Sequence, residues 1–374
     1  QVLIHENHMY DDIPFGFGVT WRWGMELAFD RSPYHHPIGG RDENLRDRSR
    51  EEIMTFWRSA YRPDNLTVVV AGDVDPDAAY ALVREKFDLS DLEFPTTVDP
   101  AVGLVADPPV EPAHDEVRLR VERGDITKVY AKLIFPGPGE KDGLDHVMSV
   151  IRRVLSDGRS CRLYRQLHEE KKLVDNFTVM SEAGPREGLI LVDIETDAVR
   201  LAGALVEVAR ILEDLARDAC TDLELERAKT RVARSFLFGS ETVQGQAGNI
   251  GHHDAMGDLA GAFRFPDRVA RVSRQDVGRL AASVFRLGNA NVVIYLPEDT
   301  DAAADGVPTE PKALEDLLRP VLGDRLAAEP APPAGPRDVP GGATRAQGQA
   351  RHGAGSFRRA TLDGGIEEAY RIDP

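Results

Sequence analysis

Three residues close to the N-terminus are of types that can serve as metal ligands: His5, Glu6 and His8. Zinc-dependent hydrolysis needs about three protein ligands, an open position for water and a base near that water. The motif H-x-x-E-H would place two histidines and the base on one turn of a helix, but none of the 10 histidines begins it. Because Glu6 directly follows His5, the three side chains point around a helix instead of converging. We therefore expect the chain alone not to bind zinc tightly.

The other candidate metal ligands and nucleophiles have simpler explanations. Histidines on a helix surface or in a turn bordered by prolines are common without a metal, and two cysteines are too few for a disulfide framework or a cysteine-based metal site. We expect the cysteines to be buried, inert thiols and the histidines to be structural or solvent-exposed. These residues are His35, His36, His252, His253, Cys161 and Cys220.

The charge balance argues against two classes of partner. The chain has 46 lysines and arginines against 63 aspartates and glutamates, a formal net charge of −17. A nucleic-acid-binding protein needs a basic face, and anionic membranes attract basic segments. No apolar run approaches the roughly 20 residues of a membrane-spanning helix. Since the sequence starts at Gln1 without a methionine, the compartment stays open between the periplasm and the cytoplasm of a bacterial-type cell.

The order of helix and strand patterns predicts an α+β fold made of α/β layers. In residues 1–100, Ser49 and Glu52 form a capping box for a helix over residues 49–61. The β-branched segment Leu66–Ala71 predicts a strand, and residues 76–87 predict a second helix. The strands predicted in residues 101–299 lie near 116–123, 127–135, 173–182, 187–196 and 290–296, with helices between them.

Residues 1–100 and residues 101–299, the first and second modules, end with similar segments. YRPDNLTVVVAGDVDP in the first and LGNANVVIYLPED in the second each place an asparagine and a buried strand after a helix. This repeat predicts two similar domains, each with a mixed or antiparallel sheet and helices mainly on one face. Residues 300–355 are rich in Pro, Ala and Gly, which predicts a weakly packed linker. Patterns typical of ordered structure return in residues 356–374.

Three parts of the sequence resemble, in order and spacing, the insulinase/pitrilysin family of zinc peptidases, the inverzincins. VLIHENHMYDDIP resembles the helix that follows the metal motif in that family. The second part runs from SPYHHPIGG to YRPDNLTVVVAGDVDP, and the third combines DGRSCRLYRQLHEEKKLV with QGQAGNIGHHDAMGD. The final segment, FRRATLDGGIEEAYRIDP, resembles the family's opening strand and predicts the start of a second half-unit.

The resemblance implies a zinc site to which this chain contributes one residue. Residues 1–100 become the C-terminal part of the metal-binding domain, and residues 101–299 a second, homologous domain. Glu6 aligns with the family's third zinc ligand, and the H-x-x-E-H segment is expected upstream of Gln1. In the second domain the family places an arginine and a tyrosine that can contact the substrate carbonyl. His168 and Asp175 stand at these positions, which argues against direct catalytic assistance by this domain.

The predicted function is therefore that of part of a zinc-dependent metalloendopeptidase, which hydrolyses peptides with metal-activated water, while this chain alone is inactive. The expected partners are a peptide or unfolded polypeptide substrate and a second half-unit or partner subunit. Two alternatives stay open: a non-catalytic, peptidase-like scaffold that binds a peptide or a catalytic chain, and an unrelated α/β binding module. An intact H-x-x-E-H upstream favours the peptidase, and a degraded one favours the scaffold.

Overall fold

A computed structural model of the chain describes residues 2–62, 65–87, 111–323, 356–361 and 367–373. The chain divides into two compact units, and each unit is discontinuous in sequence. The first unit comprises Gln1–Arg46, Pro108–Phe238 and Ala260–Ala334, and the second comprises Asp47–Asp107, Gly239–Leu259 and Gly335–Pro374.

The strands and helices follow the predicted α+β pattern. The helices are α1 (Val2–Asp11), α2 (Val19–Ala28), α3 (Asp42–Asp47), α4 (Arg50–Ala60), α5 (Pro76–Lys86), α6 (Asp145–Ser156), α7 (Ala198–Asp218), α8 (Asp222–Gly239), α9 (Val243–Ala255), α10 (Gly261–Arg271), α11 (Arg274–Val284) and α12 (Pro311–Leu318). The strands are β1 (Arg118–Gly124), β2 (Val129–Pro138), β3 (Asn176–Ala183), β4 (Glu187–Thr196), β5 (Asn291–Pro297), β6 (Ser356–Thr361) and β7 (Glu367–Asp373).

Five of these strands form a mixed sheet in the first unit, in the order β1-β5-β2-β4-β3. β5 runs parallel to β1 and antiparallel to β2, while β4 is antiparallel to both β2 and β3. The strands predicted near residues 116–123, 127–135, 173–182, 187–196 and 290–296 are all present. β6 and β7 pair separately as an antiparallel hairpin. The predicted α+β class with a mixed sheet is confirmed.

The main hydrophobic core lies between one face of the sheet and the helices α6, α7 and α11. Alternate residues of β2, among them Leu133 and Phe135, point into this core because side chains alternate between the two faces of a strand. The buried stripe of α7 runs from Leu201 to Leu215 at helical spacing. Most helices of this unit therefore pack against the same face of the sheet.

Helix α2 covers the opposite face of the sheet. Met25, Ala28 and Phe29 form a second hydrophobic cluster with residues of β2 and β4. The helix comes so close to the sheet at Gly24 that an added Cβ would lie 2.2 Å from Ile134 Cδ1. A residue without a side chain is needed at this position, and the absence of a Cβ on Gly24 allows the close approach.

A buried ion pair lies on the face that α2 covers. Lys132 on β2 and Asp193 on β4 are both fully inaccessible, and Lys132 Nζ lies 2.5 Å from Asp193 Oδ2. The carbonyl oxygen of Gly16 accepts from Lys132 at 3.0 Å, and the Gly16 N–H donates to Asp193 at 2.9 Å. Burial lowers the pKa of Lys132 and raises that of Asp193, so the pair depends on these contacts to stay charged. The pair fixes the loop before α2 on the sheet.

The predicted capping box in the second unit is confirmed. Ser49 Oγ accepts from the N–H of Glu52 at 3.2 Å, and Glu52 Oε2 accepts from the N–H of Ser49 at 2.7 Å. The apolar face predicted for this helix is present but exposed, since Ile53, Phe56 and Trp57 are all accessible to solvent.

The prediction of a strand over Leu66–Ala71 is wrong. The structure has no strand at these residues, and Leu66, Val68 and Val70 are exposed. A strand needs a neighbour to pair with its N–H and C=O groups, and no described residue provides one here. The matching segment in the second module is β5, an internal strand of the sheet. The predicted repeat requires a second helix-covered sheet, and the described residues do not form one. The domain boundaries at residues 100 and 299 stay predictions.

The linker prediction for residues 300–355 is wrong in its first part. Val307, Leu314, Leu318 and Leu322 are buried in the main core, and α12 packs on α7 and β1. Four apolar side chains at suitable spacing outweigh a composition rich in Ala, Pro and Gly. Residues 324–355 lie outside the described residues.

Leu318→Ala tests whether α12 is part of the folded core. Leu318 has no solvent exposure, so its truncation should leave a cavity and lower the free energy of unfolding by about 2–5 kcal/mol. Leu223→Ala on α8, where the side chain is 61% exposed, is the matched control and should change it by less than about 0.5 kcal/mol. Urea unfolding measures both, and equal values would show that α12 lies outside the cooperative unit.

Candidate functional site

Glu6, the predicted zinc ligand, lies on α1 and is exposed to solvent. Its neighbours hold this helix to the loop before α3. Asn7 Nδ2 donates to the carbonyl oxygen of Gly40 at 3.0 Å, and His8 Nε2 lies 2.8 Å from Asp42 Oδ2. His8 therefore contacts the Asp42 carboxylate, and this hydrogen bond lowers the pKa of Asp42. Glu6 takes part in neither contact.

The described residues do not fit a zinc ion at Glu6. Zinc sites use about three protein ligands, with nitrogen and sulfur donors preferred. Among the residues that the structure describes, Glu6 belongs to no cluster of three His, Cys, Asp or Glu side chains close enough to share a metal. Glu6 can contribute one ligand atom and no more, and its role as a zinc ligand stays a prediction.

One cluster of possible metal ligands does occur, formed by Asp30, Glu111 and His114. Arg118 Nη2 lies 2.7 Å from Asp30 Oδ2 and 2.7 Å from His114 Nδ1. The guanidinium group of Arg118 therefore already occupies this cluster. Glu111 accepts three backbone N–H groups of residues 30–32, each at 2.8 Å. These contacts identify the cluster as a structural connection between the end of α2 and the start of the sheet.

His168 and Asp175, predicted at the family's arginine and tyrosine positions, line the same cleft. This cleft has a volume of about 410 Å³, and its walls are the end of α6, a π-helix over Tyr164–Glu170 and the edge strand β3. The ring of His168 stacks on that of Tyr164, with centroids 4.9 Å apart and planes inclined by 14°. The stacking holds the imidazole against the cleft wall.

Asp175 is bound within a network of ion pairs. Its carboxylate accepts from Lys128 Nζ at 2.8 Å and from Arg200 Nη2 at 2.8 Å, and both cations also contact Asp197. The hydrogen bond from Lys128, followed by that from Arg200, lowers the pKa of Asp175. An ionised carboxylate accepts hydrogen bonds but donates none. Asp175 therefore cannot donate a hydrogen bond to a substrate carbonyl as a tyrosine can.

Arginine and tyrosine side chains do line this cleft, at positions that the sequence analysis did not single out. They are Arg152, Arg159 and Tyr164. The available signal was the arginine pair at the end of α6, followed by the Asp157-Gly158 turn and a third arginine. Only the fold shows that these residues and His168 share one cleft.

The remaining histidines and cysteines have the structural positions expected of them. Cys161 and Cys220 are buried and unpaired by disulfides, and burial raises the pKa of both thiols, which makes them unreactive. In the turn after α2, His35 Nδ1 lies 2.8 Å from the carbonyl oxygen of Phe29. The rings of His252 and His253 on α9 contact each other edge to face.

A bidentate ion pair between Arg162 and Glu224 positions α8 beside the cleft. Arg162 donates to both oxygens of Glu224, at 2.8 and 2.9 Å, while Glu224 also accepts the N–H of Thr221 at 2.8 Å and caps the helix. Partial burial opposes ionisation of Glu224, but these hydrogen bonds outweigh it and lower its pKa to about 2. The contact joins α8 to the segment that enters the π-helix.

Comparison with known proteins identifies the family. Residues 47–232 match the family model described as the Peptidase M16 inactive domain. This chain belongs to the M16 peptidase family. The resemblance to the insulinase/pitrilysin zinc peptidases is thereby confirmed. The M16 chain carries the family's inactive domain, and its 374 residues contain no H-x-x-E-H motif.

Curated relatives of the M16 chain are named zinc proteases. An uncharacterized zinc protease of Mycobacterium bovis is 25% identical over 256 residues, which cover 68% of this chain and 56% of the relative. Zinc protease PqqE of Helicobacter pylori is 23% identical over 302 residues, covering 79% of this chain and 66% of PqqE. The M16 chain thus spans little more than half the length of the first relative.

A solved structure supports the same fold. The crystal structure of a protease from Helicobacter pylori superposes with a TM-score of 0.70 at 21% identity, covering 79% of the M16 chain and 70% of that protease. At this level of identity the likeness concerns the fold alone. Within the described part of the M16 chain, no helix has the length and apolar character of a membrane span.

Glu224→Gln should remove a pH-dependent part of the stability. Because the pKa of Glu224 is lower in the folded chain than in an unfolded one, its contacts stabilise fully above about pH 4.5 and are lost as the pH falls towards 2. Allowing for solvent screening, the substitution should lower the free energy of unfolding at pH 7 by about 1 kcal/mol. Urea unfolding at pH 7, 5 and 3 should show this difference shrinking with falling pH.

Glu226→Gln, two positions along α8 with an exposed carboxylate, is the control and should change the stability by less than about 0.5 kcal/mol at each pH. A loss in Glu224→Gln that is the same at pH 7 and pH 3 would contradict the ionic origin of the contact.

Proposed function

We propose that the intact protein is a zinc-dependent metalloendopeptidase of the insulinase type, and that this chain supplies its inactive domain and one metal ligand, Glu6. The observation that carries the proposal is the match of residues 47–232 to the inactive domain, in a chain that has the candidate ligand but no H-x-x-E-H. The names of the zinc protease relatives support the choice of metal. The base and the other ligands belong to a segment outside these 374 residues.

In this proposal the substrate is a peptide or an unfolded polypeptide, enclosed between this half-unit and a second half-unit or a partner subunit. The cleft beside β3 supports a binding role, because an edge strand and a groove next to it suit an extended chain. In this proposal residues 1–100 are the C-terminal part of the metal-binding domain and residues 101–299 are a second, homologous domain, and the family match at residues 47–232 extends over parts of both.

A second candidate function is a non-catalytic scaffold whose catalytic partner is another chain. The ion pairs of Asp175 favour this candidate, because they occupy the position where a catalytic unit offers a tyrosine. The coding sequence ahead of Gln1 separates the two candidates. A chain extended by the residues encoded there should bind zinc and cleave peptides if the first candidate is correct, and should do neither if the second is.

The chain as it stands should neither bind zinc tightly nor hydrolyse peptides. One exposed carboxylate provides a single ligand, and no cluster of three metal-binding side chains includes it among the described residues. Isothermal titration with zinc should give no one-to-one site tighter than about micromolar, which corresponds to about 8 kcal/mol of binding free energy. A quenched-peptide assay with added zinc should give no turnover.

Glu6→Ala is the control that locates any activity found. A submicromolar one-to-one site, or turnover that Glu6→Ala abolishes, would show that this chain holds a complete active centre. The matched variant His5→Ala should leave both measurements unchanged, since His5 is exposed and belongs to no cluster of metal ligands among the described residues.

A further inference from the structure

Six arginines lie together on the surface of the first unit, in a chain whose formal net charge is −17. They come from the end of α6, from the turn after it and from α8, and they line two clefts on either side of that turn. We call this surface the arginine face. Its members are Arg152, Arg153, Arg159, Arg227, Arg231 and Arg234.

Helix α8 presents three of these arginines in a row. Arg227, Arg231 and Arg234 have the spacing of residues on one helix face, and all three are exposed. Arg231 contacts Asp157, whereas Arg227 and Arg234 have no hydrogen-bonding or ion-pair partner among the residues that the structure describes. Two guanidinium groups are therefore free to bind a ligand.

The first cleft, of about 460 Å³, has an excess of positive charge. Asp157 is shared between two arginines, because it lies 3.5 Å from Arg153 Nη1 and 3.0 Å from Arg231 Nη1. Arg153 also donates to Ser235 Oγ at 2.8 Å, which connects α6 with α8. The other carboxylate on the wall, that of Glu226, contacts Lys229 at 3.3 Å. The four arginines thus exceed the carboxylates available to them.

The second cleft, beside β3, has the same imbalance. Arg152 and Arg159 line it, and its carboxylate, Asp175, is already bound to Lys128 and Arg200. Burial, and after it repulsion by Arg153, lowers the pKa of Arg152, and attraction to Asp157 and Glu182 offsets this only in part. A negatively charged ligand would offset that repulsion at the boundary between the two clefts.

We propose that the arginine face binds a carboxylate-rich segment of polypeptide in an extended conformation. The planar guanidinium group matches a carboxylate with two parallel hydrogen bonds. Successive arginines on α8 are separated by about 4.5–6 Å along the helix axis. Alternate residues of an extended peptide are about 6.6–7 Å apart on one side of the chain. The two spacings differ by about 0.6–2.5 Å, which the long arginine side chains can take up. A segment with acidic residues at every second position can therefore match successive arginines.

A peptide fits the arginine face better than a nucleic acid does. The phosphate backbone of a nucleic acid is a continuous line of charge that requires a basic surface longer than the arginine face. The arginine face is local, and charges beyond about 8 Å are screened at physiological ionic strength. Its clefts also contain Phe238, Phe177 and Thr178, which can pack against side chains between the acidic residues.

The binding of a labelled peptide tests this proposal, independently of any peptidase activity. The probe is a fluorescein-labelled peptide of twelve residues that alternates Glu and Ser, and the reference peptide alternates Lys and Ser. Fluorescence anisotropy with the full chain should give a Kd at least about tenfold lower for the Glu peptide, weakening as the salt concentration rises.

Arg227→Glu with Arg234→Glu should weaken binding of the Glu peptide at least about tenfold, since two like charges replace two attractive ones. The matched control is Arg264→Glu with Arg271→Glu on α10, two exposed arginines with the same separation of seven positions and the same change in net charge. The control should change the Kd by no more than about twofold. Arg227→Gln with Arg234→Gln removes the two positive charges without adding negative ones, and should weaken binding about threefold.

Three results would overturn the proposal. Equal losses in the α8 and α10 variants would attribute binding to net charge alone. Equal affinity for the Glu and Lys peptides would remove the carboxylate preference. Tighter binding of a single-stranded oligonucleotide of the same length would make the arginine face a nucleic-acid site. The outcome is separate from the peptidase proposal, because the assay contains no zinc and measures no cleavage.

Discussion

The sheet of the first unit depends on the entry of β5 between β1 and β2. Asn291–Pro297 pairs with β1 in parallel and with β2 in antiparallel register, although more than 150 residues separate it from both. β1 and β2, the first two strands in the chain, are not hydrogen-bonded to each other. The sheet is therefore incomplete until β5 pairs between them. Contacts between such distant residues form late and slowly. The two hydrophobic clusters and the buried ion pair all require this sheet.

Much of the fold could be predicted because its strands carry local patterns. β2, β4 and β5 are β-branched apolar runs long enough to be buried on both faces, and the helices between them have clear amphipathic stripes. Leu66–Ala71 has the same local pattern but lacks a partner strand, and pairing depends on residues that the segment itself does not contain. The packing of α12 was missed for the opposite reason: a few leucines outweigh the linker-like composition around them.

The candidate site could be predicted in its chemistry but not in its surroundings. The sequence predicted Glu6 as a lone candidate ligand and placed His168 and Asp175 at the positions where the family resemblance implies an arginine and a tyrosine. It could not show that Asp175 binds Lys128 and Arg200, which lie 47 and 25 residues away in the chain. The arginine face could not be predicted for the same reason, because Asp157 and Arg231 form an ion pair although 74 residues separate them in the chain. Ion pairs between distant elements leave no periodic pattern in a sequence.

The network around Asp175 also restricts how this chain could change in evolution. The family resemblance places a tyrosine at this position in catalytic units, but a single return to tyrosine would remove one of two carboxylates that hold Lys128 and Arg200. Two cations would then compete for Asp197, and the start of β3 would lose its connection to α7. The aspartate is thereby favoured: its replacement costs least after the surrounding lysine or arginine has changed first.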